Sequence, residues 1–349
     1  MASQMELAEL ELVDREHPNS QTVAVLEAPY DISIAYAKIP KPNRDEICIQ
    51  IKYVGICGSD LETYRGSRKP EYLSMPTRLG HEVSGIVCEV GENVKGLQIG
   101  DKVACRYVWG AFAEYIVCKP FNVIKLPLSF PMKEISLIEV LPGIIHTAEL
   151  AEITENKNVL IMGQGVSGLI MTQVISLYNP KNLVVTDLNI KKLKLAQSYG
   201  ATHTFKIPNE YTSTMDIVGE VFPEGFDIVI PCLLDGDGMV DAIDTVAFSG
   251  KIVMYGCIGI CNKSIDFFKV HRKRINIYST EPRTDNQMRK YFHEGVQLVL
   301  DGLINTSEMV TNIFSLADLK KAFELRDNKN DKEAIHVLID CDMKNKKEF

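Results

Sequence analysis

Residues 158–187 read NVLIMGQGVSGLIMTQVISLYNPKNLVVTD. An apolar run, a glycine-rich turn, a longer apolar segment and a second apolar run ending in an acid follow one another. That order predicts strand, tight turn, helix and strand. Gly163, Gly165 and Gly168 stand where a dinucleotide-binding turn needs them. The first permits the tight turn, the second lets the backbone approach a pyrophosphate, and the third lets helix and strand pack closely. Val166 opens the helix, whose N-terminal amides would face the anion. Asp187 closes the second strand, where a carboxylate can accept hydrogen bonds from the ribose hydroxyls of NAD and repel the extra phosphate of NADP. Lys191 and Lys192 pull the other way, since a lysine can greet a phosphate. The reading is NAD, with NADP less favoured.

The pattern continues through residues 143–279. Apolar runs FDIVIPCL, KIVMYGCIG and INIYS alternate with helical stretches such as KKLKLAQSYG. Alternating β and α segments predict a doubly wound parallel sheet of the Rossmann kind, an α/β fold. Residues 21–142 are different in character. EICIQIKYVGICG, HEVSGIVCEVG, DKVACRYVW and AFAEYIVC alternate apolar and polar residues between turn signals, which predicts a compact β-rich domain. From residue 280 to 349 the text is helical again and ends in a strand-like AIHVLIDC. Residues 1–20 are polar and acidic and read as a loose extension.

Bulk properties narrow the function. The formal net charge of -8 disfavours nucleic acid and anionic membrane surfaces as partners. The basic cluster His271 to Arg274 reads as a solvated loop between strands. No apolar run reaches the roughly 20 residues of a membrane span. The N-terminus lacks the basic start and apolar centre of a secretory signal, so a cytoplasmic protein is expected. The nine cysteines are scattered without a CxxC pair, and an odd count in a chain of 349 residues does not suggest a disulfide framework. CIGIC, with Cys257 and Cys261, reads as a strand end and its turn rather than a chelate.

One stretch resists a purely structural reading. LGHEVSGIV places His81 and Glu82 side by side at the mouth of an apolar strand. Burying such groups without a partner is costly. Other donors also stand near turns: Cys57 in GICGSD and Glu139 in LIEVLPG. Their spacings are too long for a local chelating loop, so only the fold could bring them together.

These segments resemble the zinc-dependent medium-chain dehydrogenases, which include sorbitol, threonine and alcohol dehydrogenases. GHEVSGIVCEVGENV fits that family's zinc signature, and VGICGSDLETYRG fits the segment carrying its cysteine ligand. The glycine turn and GDKV follow in the family's order, and the resemblance covers about residues 22–342. It implies a GroES-like catalytic domain, interrupted by the Rossmann domain and completed by residues 280–349, with catalytic zinc in the cleft between domains. Cys57 and His81 would bind zinc, with Glu82 and Glu139 in direct or water-mediated contact. A water or substrate oxygen would complete the ion's shell. Ser59 matches the family's relay hydroxyl, which passes the substrate's proton outward.

Two departures from the family stand out. Glu62 occupies the position where many members carry a histidine, so it would move the proton onward or grip a polar substrate. Only ACRYVW separates GDKV from GAFAEY, where many members carry a lobe with four cysteines. The resemblance therefore implies one zinc per chain and no structural zinc. It also implies a homo-oligomer, dimer or tetramer, joined through the nucleotide domain. Glu62 and Glu139 suit a small polyhydroxylated or aminated substrate, because carboxylates accept hydrogen bonds from hydroxyls and pair with ammonium groups. The acidic leader and missing lobe further resemble the aminocyclitol dehydrogenases of aminoglycoside antibiotic biosynthesis. That implies oxidation of a ring hydroxyl to a ketone.

Overall fold

The computed structural model describes residues 10–67, 74–280, 284–328 and 333–342. The chain forms two compact units, Met1–Glu139 with Thr306–Phe349, and Val140–Asn305.

The first unit begins with an antiparallel hairpin of β1 (Ser20–Ala28) and β2 (Asp31–Lys38). β3 (Ile47–Gly55), helix α1 (Gly58–Tyr64), β4 (Glu82–Val90), β5 (Lys102–Cys105), β6 (Tyr115–Cys118) and β7 (Val123–Leu126) follow. Ile47, Ile49 and Ile51 are buried at alternate positions of β3, as the period-2 pattern of a pleated strand requires.

The second unit runs α2 (Leu141–Ala151), β8 (Asn158–Met162), α3 (Val166–Ser176), β9 (Asn182–Asp187), α4 (Ile190–Ser198), β10 (His203–Lys206) and α5 (Thr214–Val218). It continues with β11 (Phe226–Pro231), α6 (Gly238–Thr245), β12 (Val246–Met254), α7 (Phe267–Lys273), β13 (Asn276–Ser279) and α8 (Asp285–Leu300). Its six strands lie in the order β10-β9-β8-β11-β12-β13, every pair parallel. Strand order reverses between β8 and β11, the place where doubly wound sheets bind ligands. Val159, Leu160 and Ile161 of β8 have no exposed surface, which explains why this sequence is apolar without alternation.

The chain then returns to the first unit through β14 (Val310–Ser315), α9 (Leu319–Asp327) and β15 (His336–Asp340). β15 pairs antiparallel with β3 and parallel with β14. The resulting seven-stranded sheet has the order β14-β15-β3-β4-β5-β7, with β6 also on β3. Phe323 of α9 anchors the returning segment, with ring centroids 4.8 Å from Tyr64 and 5.7 Å from Phe112.

Three sequence expectations are corrected here. The return to the first unit comes at Thr306 rather than residue 280. The reason is α8, whose Gly295 lies against Leu141 of α2 so closely that an added Cβ would stand 2.6 Å from the leucine Cβ. The described part of the N-terminal extension is not loose. The Lys38 N–H donates to the Glu11 carbonyl at 2.8 Å and the Val13 N–H to that of Tyr36 at 3.0 Å, edging β2. Residues 1–9 lie outside the described residues. The basic cluster is no interstrand loop: His271, Arg272 and Lys273 form the last turn of α7. Cations are favoured there by the helix dipole. Among the described residues no helix is long and apolar enough to cross a membrane.

Candidate metal centre and nucleotide-binding turn

β3 ends at Gly55 and Cys57 caps the N-terminus of α1. The Cys57 N–H donates to Asp60 Oδ2 at 3.1 Å, the backward reach of a capping carboxylate. The other oxygen, Oδ1, accepts from the Gly80 N–H at 3.0 Å. Asp60, 1% exposed, therefore ties the residue before His81 to the start of α1. β4 then lays Glu82 opposite Gly55 in the antiparallel register. Cys57, His81 and Glu82 thus each offer a ligand atom, all within 4.8 Å of one another. Among the described residues no other group of three His, Cys, Asp or Glu side chains is so placed.

This donor set fits a dication. His81 and Glu82, 6% and 2% exposed, bring two ionisable groups out of water beside the Cys57 thiol. Burial pushes the Glu82 carboxyl up to about 7, against the pull of His81 and with Glu139 adding to the rise. Burial likewise raises the Cys57 thiol above its ordinary range. Burial opposes charge on His81, yet Asp60 and Cys57 hold the imidazolium well above its usual range. A thiol, an imidazole and a carboxylate crowded this way repel or orphan one another until a cation joins them. His81 Nδ1 lies 3.6 Å from Asp60 Oδ1, which leaves Nε2 as the nitrogen available to a metal. Trp109 packs on the same ring, centroids 4.6 Å apart.

Ser59 Oγ lies 3.5 Å from His81 Nε2, at the edge of the cluster. Glu62, one helical turn on from Ser59, is buried with 4% exposure. Glu139 stands beside the cluster rather than in it, since its carboxylate pairs with Arg106, Oε1 to Nη1 at 3.2 Å. Arg106 Nη1 also donates to the carbonyl of Glu139.

Sequence reasoning passed over several contributors. Asp60 was signalled by its place in CGSD, three residues after the cap. His336 and Arg326 had no such signal. Both come from the returning segment, far away in sequence.

In the second unit Gly163 has φ +89, the left-handed region that favours glycine. A Cβ on Gly168 would fall 1.9 Å from the Gly163 carbonyl oxygen, so only glycine allows this packing. Gly165 caps α3 with open space where a Cβ would be, and Val166 is the helix's first residue. Gln164, wholly buried, braces the turn: its Nε2 donates to the Gly163 carbonyl at 3.1 Å and its Oε1 accepts from Thr172 Oγ1 at 3.0 Å. Asp187 accepts from the backbone N–H groups of Gln164 and Asn189, each at 2.7 Å. The acid is thus fixed at the end of β9, beside the glycine turn. Lys192 is buried on α4, while Lys191 is exposed.

Residues 43–128 match the alcohol dehydrogenase GroES-like domain, and residues 167–299 match the zinc-binding dehydrogenase family. The D-xylulose reductase of Saccharomyces cerevisiae is 30% identical over 342 residues, covering 87% of this chain and 94% of that protein. The chain belongs to the zinc-binding alcohol and polyol dehydrogenase family. Within this family, the sorbitol dehydrogenase of Bacillus subtilis is 27% identical, covering 88% of this chain and 94% of its own. An Escherichia coli alcohol dehydrogenase solved with NADH shares the dehydrogenase fold, with a TM-score of 0.77, 24% identity, and coverage of 92% and 99% of the two chains.

Proposed function

We propose that this zinc-binding dehydrogenase oxidises a secondary hydroxyl of a polyol to a ketone, with one catalytic zinc ion per chain and NAD favoured over NADP. The observation that carries the reading is the convergence of Cys57, His81 and Glu82 within 4.8 Å. When bound, zinc supplies a Lewis acid that lowers the pKa of a hydroxyl, as it lowers that of water from about 15.7 to about 7. Bound NAD supplies the acceptor for the hydride leaving the substrate carbon. Cys57, His81 and Glu82 would hold the metal, and Asp60 would fix the imidazole's tautomer. Ser59 would take the hydroxyl proton, and Glu62 three residues further along α1 would carry it onward or bind a second substrate hydroxyl. Gly163, Gly165, Val166 and Gly168 would cradle the pyrophosphate, while Asp187 would bind the ribose with Lys192 nearby.

Likeness to D-xylulose reductase and sorbitol dehydrogenase supports the polyol class. The buried carboxylate of Glu62 is the feature favouring an amino-bearing polyol, an aminocyclitol of the kind found in antibiotic biosynthesis. The test is formation of reduced nicotinamide on a panel of xylitol, sorbitol, L-threonine and an aminocyclitol, with metal content measured on the same sample. No turnover of any polyol by zinc-loaded protein would overturn the reading. Turnover of the aminocyclitol alone would move it to that second class.

We infer a homodimer through the second unit. β13 is an edge strand with all four residues exposed. Phe248 of the adjoining strand β12 and Phe267 and Phe268 at the start of α7 are 63%, 75% and 72% exposed. Three phenylalanines so exposed present on the order of 400 Å² of apolar surface, about half of one partner's share of a standard interface. A bare edge strand is also a template for pairing with a second copy. Sedimentation of wild type and of the Phe267→Lys, Phe268→Lys double variant tests this. A monomeric wild type would refute it.

A further inference from the structure

β4, β3 and β15 are neighbours in one sheet, with Gly55 of β3 opposite Glu82 on one side and Leu338 on the other. His336 lies two residues before Leu338, so its side chain shares that residue's face of the sheet. Side chains two strands apart rarely touch, because the intervening strand's side chain stands between them. Here the intervening residue has none. A Cβ on Gly55 would fall 2.2 Å from both Glu82 Oε2 and His336 Cε1. Gly55 has no left-handed backbone angle to explain it. Its job is to let these two side chains meet over the middle strand.

Where they meet, His336 Nδ1 lies 3.7 Å from Glu82 Oε2, and neither atom has a hydrogen-bond partner. Both residues are at least 98% buried. The far side of the imidazole is fixed, with Nε2 3.0 Å from Ser136 Oγ. Ser136 Oγ has two acceptors in reach, the Lys133 carbonyl at 3.3 Å and His336 Nε2 at 3.0 Å; when the hydroxyl donates to the nearer Nε2, the ring proton stands on Nδ1, on the side of the carboxylate. We propose that His336, oriented by Ser136 and admitted by Gly55, is a positioning residue that turns the Glu82 carboxylate toward the metal held by Cys57 and His81. The inference rests on the zinc reading above and deepens it. One Glu82 oxygen takes the imidazole N–H, the other faces the cation, and the carboxylate loses its freedom to rotate away.

The test is zinc affinity, measured by competition with a chromophoric chelator, together with the visible spectrum of the Co²⁺-substituted protein. The variants are His336→Leu, His336→Asn and Ser136→Ala. Asparagine keeps a donor at the Nδ1 position; leucine removes it. His336→Leu should bind zinc roughly 10–100-fold more weakly and alter the Co²⁺ spectrum. His336→Asn should stay within about threefold of wild type, and Ser136→Ala should fall between the two. Chelator-treated His336→Leu loses the Ser136 contact and should melt somewhat lower than wild type, so zinc affinity is the deciding readout. A purely structural histidine would lower the melting point and leave zinc affinity unchanged. Wild-type affinity in both His336→Leu and Ser136→Ala overturns the proposal, and Ser136→Ala decides alone if the leucine variant does not fold. A wild-type protein that takes up no zinc overturns the zinc reading itself.

Discussion

Arg106 and Glu139 form an ion pair that is almost wholly buried, Nη1 to Oε1 at 3.2 Å, with 6% and 8% of the residues exposed. The pair holds a second carboxylate close to Glu82, where it adds to the raised pKa of that group. Removing one partner strands the other charge. Glu139→Ala should cost about 3 kcal/mol of stability, while Glu139→Gln, which keeps an acceptor, should cost less than half of that. Urea unfolding of the three proteins would show it. Equal midpoints would mean that the pair is structurally idle.

Zinc binding should depend on Cys57 and His81 before all else. Cys57→Ala or His81→Ala removes one donor from the group of three. Each should abolish stoichiometric zinc and lower turnover by at least about 10³-fold, since each would leave an incomplete ligand set. Metal analysis after desalting, with rates on the best polyol, checks this. A variant that remains fully active without metal would remove the basis of the zinc reading.

Zinc affinity should also fall as pH drops through neutrality. The Glu82 carboxyl, raised by burial, titrates at about 7, and burial raises the Cys57 thiol further. Asp60 and Cys57 keep the His81 imidazolium above its usual range despite burial. Each group must lose its proton to bind the ion, so binding releases protons and higher pH favours it. We expect a loss of at least about tenfold per pH unit below 7. Chelator competition at a series of pH values would reveal the slope, and a flat profile would count against these three as ligands.

The glycine turn should tolerate no side chain at Gly168. A Cβ there meets the Gly163 carbonyl at 1.9 Å, a backbone atom that cannot simply swing away. Gly168→Ala should destabilise the second unit by about 1–3 kcal/mol and weaken NAD binding with it. Thermal melts with and without NAD would show a lower melting point and a smaller rise on adding the nucleotide. An unchanged rise would mean that the nucleotide binds elsewhere.

Asp187 should carry both cofactor preference and part of the turn's stability. Asp187→Gly removes the acceptor of the Gln164 and Asn189 N–H groups. Each orphaned donor costs about 1–3 kcal/mol if it stays dry. The ratio of kcat/KM for NAD to that for NADP should fall at least about tenfold, because the carboxylate that excludes the extra phosphate is gone. Steady-state kinetics with both nucleotides decides the matter.

The sequence by itself determined the local geometry of this protein. The run NVLIMGQGVSG dictates strand, turn and helix, because only glycine accepts the φ of +89 at Gly163 and the 1.9 Å approach at Gly168. CGSD likewise announces a capped helix start, with Asp60 reaching back to the Cys57 N–H. Periodicity also separated the β-rich part from the alternating part, since pleated and helical segments bury side chains at different intervals. Tertiary structure alone decided who stands beside whom. His336 meets Glu82 because β15 returns to pair with β3 after the whole second unit has been made. Glu139 meets Arg106 rather than joining the Cys57 group, and α8 stays with α2 instead of leaving at residue 280. Side-chain spacing encodes neighbours only a few residues apart. Contacts between distant segments depend on sheet order and register, which the burial of whole faces fixes together.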